Sequence, residues 1–182
     1  MKKSLLGLLA FIVIISFSLM GTYNNLVTKT QNVDGQWVQV ETQYQRRFDL
    51  IPNLVNSVKD IFEQEQDVFL AIAQARTKYV GAKGVNEKAQ AATEVESALG
   101  RLLVIVENYP QLQSNTAVLG LMDGLAGTEN RVSMERKRFN DLVRDYNTTI
   151  KRFPTNLIAN MFNFETRAFF EAVEAGGASG SW

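Results

Sequence analysis

Arg47, Glu65, Arg76, Glu129 and Arg136 fall on or beside the apolar stripes of this 182-residue sequence, where charged side chains are placed to act away from bulk water. Paired carboxylates such as Glu65 and Glu129 could in principle divide general-acid and general-base work. Their usual companions are missing. The chain has neither histidine nor cysteine, which removes the commonest general base, the thiolate nucleophile and the commonest transition-metal ligands. No nucleophile–base pair, glycine-rich phosphate loop or metal-ligand spacing is present. The one dense acidic cluster, Glu63-Gln64-Glu65-Gln66-Asp67, reads as helix, whereas calcium asks for more oxygen ligands around a glycine turn. It is a solvated face, and the five interior charges are expected to form buried ion pairs that fix register between helices. The expectation is therefore a protein that is not an enzyme and holds no cofactor or metal.

Composition narrows the partners. Lys plus Arg and Asp plus Glu both total 19, and setting Lys2 and Lys3 aside leaves 17 basic residues against 19 acidic ones. A nucleic-acid partner is excluded, since phosphate binding needs a clustered basic surface. Without cysteine there are no disulfides, no thiolate metal site and no lipid-modified cysteine. Three prolines and helical spacing throughout predict an all-α chain.

The elements that must position those charges begin with a membrane segment. Residues 5–20 (LLGLLAFIVIISFSLM) carry no charge, and the predicted anchor consists of Leu5, Leu6, Leu8, Leu9, Phe11, Ile12, Val13, Ile14, Ile15, Phe17, Leu19 and Met20. At about 1.5 Å per residue, the helix from Ser4 to Tyr23 is about 30 Å long, enough for the hydrocarbon core. Ser16-Phe17-Ser18 loosely fits a signal-peptidase site, but the apolar run continues past it, which favours a retained anchor. Lys2 and Lys3 precede the run and Lys29 is the next basic residue after it, so the positive-inside rule predicts a cytoplasmic N-terminus and an extracytoplasmic bundle. A single-pass membrane protein is expected, and the family resemblance given below implies the bacterial inner membrane.

From Tyr23, apolar residues recur at steps near 3.5 through Leu26, Val33, Trp37, Val40, Tyr44, Phe48, Ile51, Val55, Val58, Phe62, Phe69, Ile72 and Tyr79, the pattern of a long bundle arm or coiled coil. Pro52 interrupts it, either as a kink or as a turn that Asp49 would cap. Gly81-Ala82-Lys83-Gly84 closes the arm. A second stripe runs from Ala89 to Tyr109 and stops at Pro110; a third, capped by Ser114 or Asn115, runs from Val118 to Phe153. The predicted architecture is all-α, an N-terminal transmembrane helix running into a long-helix bundle, which the family resemblance given below makes a four-helix bundle. Its parts are an anchor over 1–21, a bundle over 22–153, an amphipathic aromatic-rich helix over 154–175 and a flexible tail over 176–182.

Several residues resemble the LemA family of bacterial membrane proteins: Tyr23-Asn24-Asn25-Leu26-Val27, Trp37, Arg47-Phe48-Asp49-Leu50-Ile51-Pro52-Asn53-Leu54, Glu65, Arg76, Tyr109-Pro110, Glu129, Asn140, Tyr146-Asn147 and Phe153-Pro154. The R-x-D-L-I-P-N-L and Y-N-x-x-I-x-x-F-P blocks are specific together. The resemblance implies one transmembrane helix, a four-helix bundle and no assigned activity. It also implies a short N-terminus outside, opposite to the charge-based orientation, and by association a partnership with a membrane metallopeptidase or an envelope-stress system.

The aromatic segment after Pro154 exceeds what one core stripe can bury. Leu157, Met161, Phe162, Phe164, Phe169 and Phe170 are therefore expected to form an interface with the bilayer or with a second copy. Asn147-Thr148-Thr149 matches a glycosylation sequon but sits in a helix and is incidental. The reading that results is a non-enzymatic, membrane-anchored, self-associating scaffold, with a peptidase adaptor as the alternative and a carboxylate hydrolase third.

Overall fold

The computed structural model describes residues 2–58 and 65–171, and every regular element among them is helical. α1 spans Lys2–Ser57, α2 Gln66–Gly81, α3 Gly84–Asn108, α4 Pro110–Gln113, α5 Thr116–Lys151 and α6 Thr155–Met161. The chain forms two compact units, Met1–Val38 with Arg138–Arg167, and Gln39–Lys137 with Ala168–Trp182. α1 and α5 contribute to both. The tail over 176–182 lies outside the described residues.

Pro52 lies inside α1, and the helix continues to Ser57. Continuation past a proline needs packing to offset one lost backbone hydrogen bond. Phe48, Ile51, Leu54 and Val58 supply it, all buried on one face. Asp49 caps no restart; it accepts a hydrogen bond from Gln45 Nε2 at 2.8 Å in mid-helix. The left-handed residue near the α2–α3 connection is Gly84, at φ +78°, rather than a residue ending α2. Asn115 caps α5, its Oδ1 accepting from the amides of Ala117 at 3.0 Å and Val118 at 3.3 Å.

In the first unit, α1 and α5 bury Leu26, Val33, Phe139, Val143, Tyr146 and Ile150, and α6 adds Ile158 and Ala159. Trp37 lies against Phe139 at 5.2 Å between ring centroids, and Lys29 pairs with Asp145. As the α1 number falls the α5 number rises, which is an antiparallel register. In the second unit four helical segments share one core, with Tyr44, Phe48, Ile72, Tyr79, Val95, Leu102, Val118 and Val132 all buried.

Among the described residues of the helix expected over 154–175, which end at Glu171, only Thr155–Met161 is helical, so that expectation is corrected. Asn163 adopts φ +56°, and the Phe164 amide reaches back to the Ala159 carbonyl at 2.9 Å. That six-to-one closure is a Schellman termination with asparagine in the left-handed position, and it turns Phe164–Glu171 into non-helical chain.

Among the described residues no helix is long and apolar enough to cross a membrane. The side chains of Leu5, Leu8, Ile12 and Ile15 in the apolar run lie outside the described ones. Of the remaining anchor residues, Leu6, Leu9, Phe11, Val13, Ile14, Phe17, Leu19 and Met20 are exposed.

Candidate functional site

The second unit holds most of the polar chemistry. Arg47, on the α1 face that buries Tyr44, Phe48 and Ile51, is 6% exposed and ion-pairs through Nη1 with Glu129 of α5. Arg136, two turns further along α5, donates to Glu96 of α3 at 2.9 Å. The same Glu96 carboxylate accepts from the Tyr44 hydroxyl at 3.0 Å, so one acceptor joins three helices. The guanidinium of Arg136 also lies over the Phe170 ring at 4.6 Å. Residues 168–171 thereby close one wall of the unit. Below this layer Tyr44 meets Tyr79 at 4.8 Å and Phe48 meets Tyr79 at 5.1 Å. Lys88 covers the Tyr79 ring at 5.1 Å while pairing with Glu41 at 2.5 Å.

Electrostatics follow from that packing. Burial pushes the Tyr44 hydroxyl well above the ordinary phenol range, and the Glu96 charge beside it adds to the effect. Burial does the same to Tyr79, with Glu41 contributing. Both stay protonated at any physiological pH, Tyr44 donating to Glu96. At the open end, Glu65 precedes α2 and accepts from the Tyr109 hydroxyl at 3.1 Å, which raises that phenol in turn. Among the described residues no group of three histidine, cysteine, aspartate or glutamate side chains could hold a metal. Glu63 of the acidic cluster lies outside the described residues, and Asp67 is exposed.

Of the five charges singled out from the sequence, the structure joins Arg47 to Glu129 and separates the rest. Arg136 takes Glu96, which the sequence reading missed; the signal was the helical spacing Ala92, Glu96, Leu99 on one face of α3. Arg76 has no ion pair among the described residues and lines an apolar cleft of about 610 Å³ with Ile51, Pro52, Phe69 and Val80. A second cleft of about 440 Å³ is lined by Arg47, Glu96, Met122 and Glu129.

The remaining motif positions divide by unit. In the first, Tyr23 meets Phe162 at 4.8 Å and Phe164 at 5.8 Å between ring centroids. The Tyr146 hydroxyl donates to the Glu165 carbonyl at 2.9 Å, and Asn147 Nδ2 donates to the Arg167 carbonyl at 2.8 Å. Asn24 is exposed and Asn140 half-buried, while Phe153, at 80% exposed, precedes Pro154 at the α5–α6 corner. In the second, the Asn53 carbonyl accepts from the Ser57 hydroxyl, and Tyr109 ends α3 with Pro110 opening α4. The expected aromatic interface also divides. Leu157, Met161 and Phe162 are exposed and Phe164 and Phe169 half-buried, but Phe170 is core at 2% exposed, because Arg136 and Tyr44 enclose it. It is withdrawn from the interface set.

Four helical segments around an aromatic layer, with Arg47 on Glu129 and Arg136 on Glu96, make an all-helical unit. This chain belongs to the LemA family, whose sequence model matches residues 36–179. It is similar to the magnetosome proteins MamQ 1 and MamQ 2 of Paramagnetospirillum magneticum, 26% identical over 97% of this chain and 73% of each relative. It is also similar to the magnetosome protein MamQ of Magnetospirillum gryphiswaldense, 27% identical over 95% of this chain and 72% of that relative.

Proposed function

We propose that the protein is a non-enzymatic, membrane-anchored helical scaffold that self-associates in the bilayer through its first helix. One observation carries this reading: a single helix, Lys2–Ser57, bears exposed Leu6, Leu9, Phe11, Val13, Ile14, Phe17, Leu19 and Met20 and then becomes a wall of the core. A helix with this many exposed apolar side chains requires a cover of lipid or of other apolar helices. The uncharged stretch from Ser4 to Tyr23, about 30 Å long as a helix, is what lipid would have to cover. Likeness to magnetosome proteins agrees with a role at a membrane structure.

The mechanism is geometric. The apolar run fixes the chain in the bilayer, and charge pairs such as Arg47 with Glu129 keep the bundle in one register. Alkaline carbonate extraction of membranes tests the anchor. The full chain should remain in the pellet and a chain starting at Thr22 should be released; release of both would refute the reading.

A further inference from the structure

We propose that α6 and the residues flanking it form a second membrane contact, lying in the headgroup–acyl boundary of the bilayer around the anchor. The inference rests on the anchor reading and adds a surface to it. Tyr23 follows Met20 by three residues, about 4.5 Å along the helix axis. Whatever touches Tyr23 therefore sits at the edge of the hydrocarbon. Phe162 does, at 4.8 Å, and Phe164 does at 5.8 Å.

The register of α1 against α5 gives the same depth independently. Trp37 opposes Phe139 and Lys29 pairs with Asp145, so one residue back along α1 corresponds to about one forward along α5. Carried on, Arg152 comes level with Thr22. The end of α5 and the start of α6 therefore arrive at the same plane as Tyr23.

What stands at that plane suits a bilayer surface. On α6, Leu157 and Met161 are one turn apart and 56% and 69% exposed, while Ile158 and Ala159 on the other face are buried. Phe153 and Phe162, exposed at 80% and 52%, flank the helix at its two ends. Lys151 and Arg152 are exposed beside them, long enough to keep their charge among lipid phosphates while their stems stay apolar. An amphipathic element with aromatics and basic residues at its border is the composition that partitions to the interface. Covalent continuity with the apolar run selects lipid, rather than a second copy, as the occupant.

The chain lacks cysteine, so a single introduced thiol is unique. Full-length Met161→Cys and Phe11→Cys proteins, each labelled with an environment-sensitive fluorophore and reconstituted in phosphatidylcholine–phosphatidylglycerol vesicles, are compared using lipids that carry a nitroxide near the headgroup or near the chain end. The expected result is loss of the Met161→Cys emission with headgroup nitroxide, and of the Phe11→Cys emission with chain-end nitroxide. Should the Phe11→Cys signal be quenched while the Met161→Cys signal is water-like, the second contact is refuted and the anchor stands. Blue-shifted but unquenched Met161→Cys emission would assign the face to a second copy and equally overturn the proposal. No quenching of the Phe11→Cys signal removes the anchor and this contact with it. Leu157→Cys, on the same face, repeats the measurement if Met161→Cys disturbs the fold.

Discussion

Asn147 holds the backbone of Arg167 by both of its polar groups, donating to the carbonyl and accepting from the amide at 2.8 Å each. With Tyr146 on the Glu165 carbonyl, two adjacent α5 residues pin the non-helical chain that follows α6. Phe162 and Phe164 reach Tyr23 because of it. The apparent sequon at Asn147 is a structural clamp.

Asn147→Ala should release that chain at a cost of about 1–2 kcal/mol, the net worth of two hydrogen bonds near the surface. Hydrogen exchange should accelerate at the Arg167 amide and stay unchanged in α3. Asn147→Asp should do less, because a carboxylate still accepts from the Arg167 amide but cannot donate to the Arg167 carbonyl. Unaltered exchange at Arg167 in both would contradict the clamp.

Glu129→Ala leaves a guanidinium that is buried, with its Nε already lacking a partner among the described residues. Loss of about 2 kcal/mol is expected in chemical unfolding, less than for a fully buried pair because Glu129 is half-exposed. Arg47→Met combined with Glu129→Leu should recover most of it. A double variant as unstable as the single one would show that the pair supplies more than register.

Two phenylalanines near the C-terminus should behave oppositely. Phe170→Ala empties a core position and should cost about 3–5 kcal/mol. Phe162→Ala removes a half-exposed ring and should leave the unfolding midpoint of the detergent-solubilised protein within about 1 kcal/mol of the parent. Equal losses would place both in the core.

Tyr44 and Tyr79 give the stability a defined alkaline limit. Their hydroxyls are raised in the folded protein, so folded and unfolded chains hold the same phenolic protons below about pH 10. Above that the unfolded chain releases protons that the folded one retains, and stability falls as pH rises. Urea midpoints should decline steeply only beyond about pH 10, and Tyr44→Phe should flatten that decline.

Helix identity was largely legible from the sequence because each apolar stripe keeps one face: the stripe from Ala89 to Tyr109 falls on α3, which ends at Asn108, and that from Val118 to Phe153 on α5, which ends at Lys151. The Asn115 cap was legible for the same local reason. Three features depended on partners distant in sequence. Pro52 could be read as a kink or a turn, since only the packing of Phe48, Ile51 and Leu54 decides it. Phe170 looked like surplus apolar surface because nothing local announces Arg136 and Tyr44. The segment over 154–175 read as one helix because nothing local announces Tyr146 and Asn147, which hold the non-helical Glu165 and Arg167 backbone. In the candidate site, Arg47 and Glu129 were visible as interior charges, but Glu96 was not, because its two donors come from other helices.

The most direct measurement is the mass of the full-length protein in mild detergent by light scattering, corrected for bound detergent. Self-association through the first helix predicts a uniform particle containing several 20.4 kDa chains that becomes a single chain when residues before Thr22 are removed. A full-length particle of one chain would contradict the scaffold account.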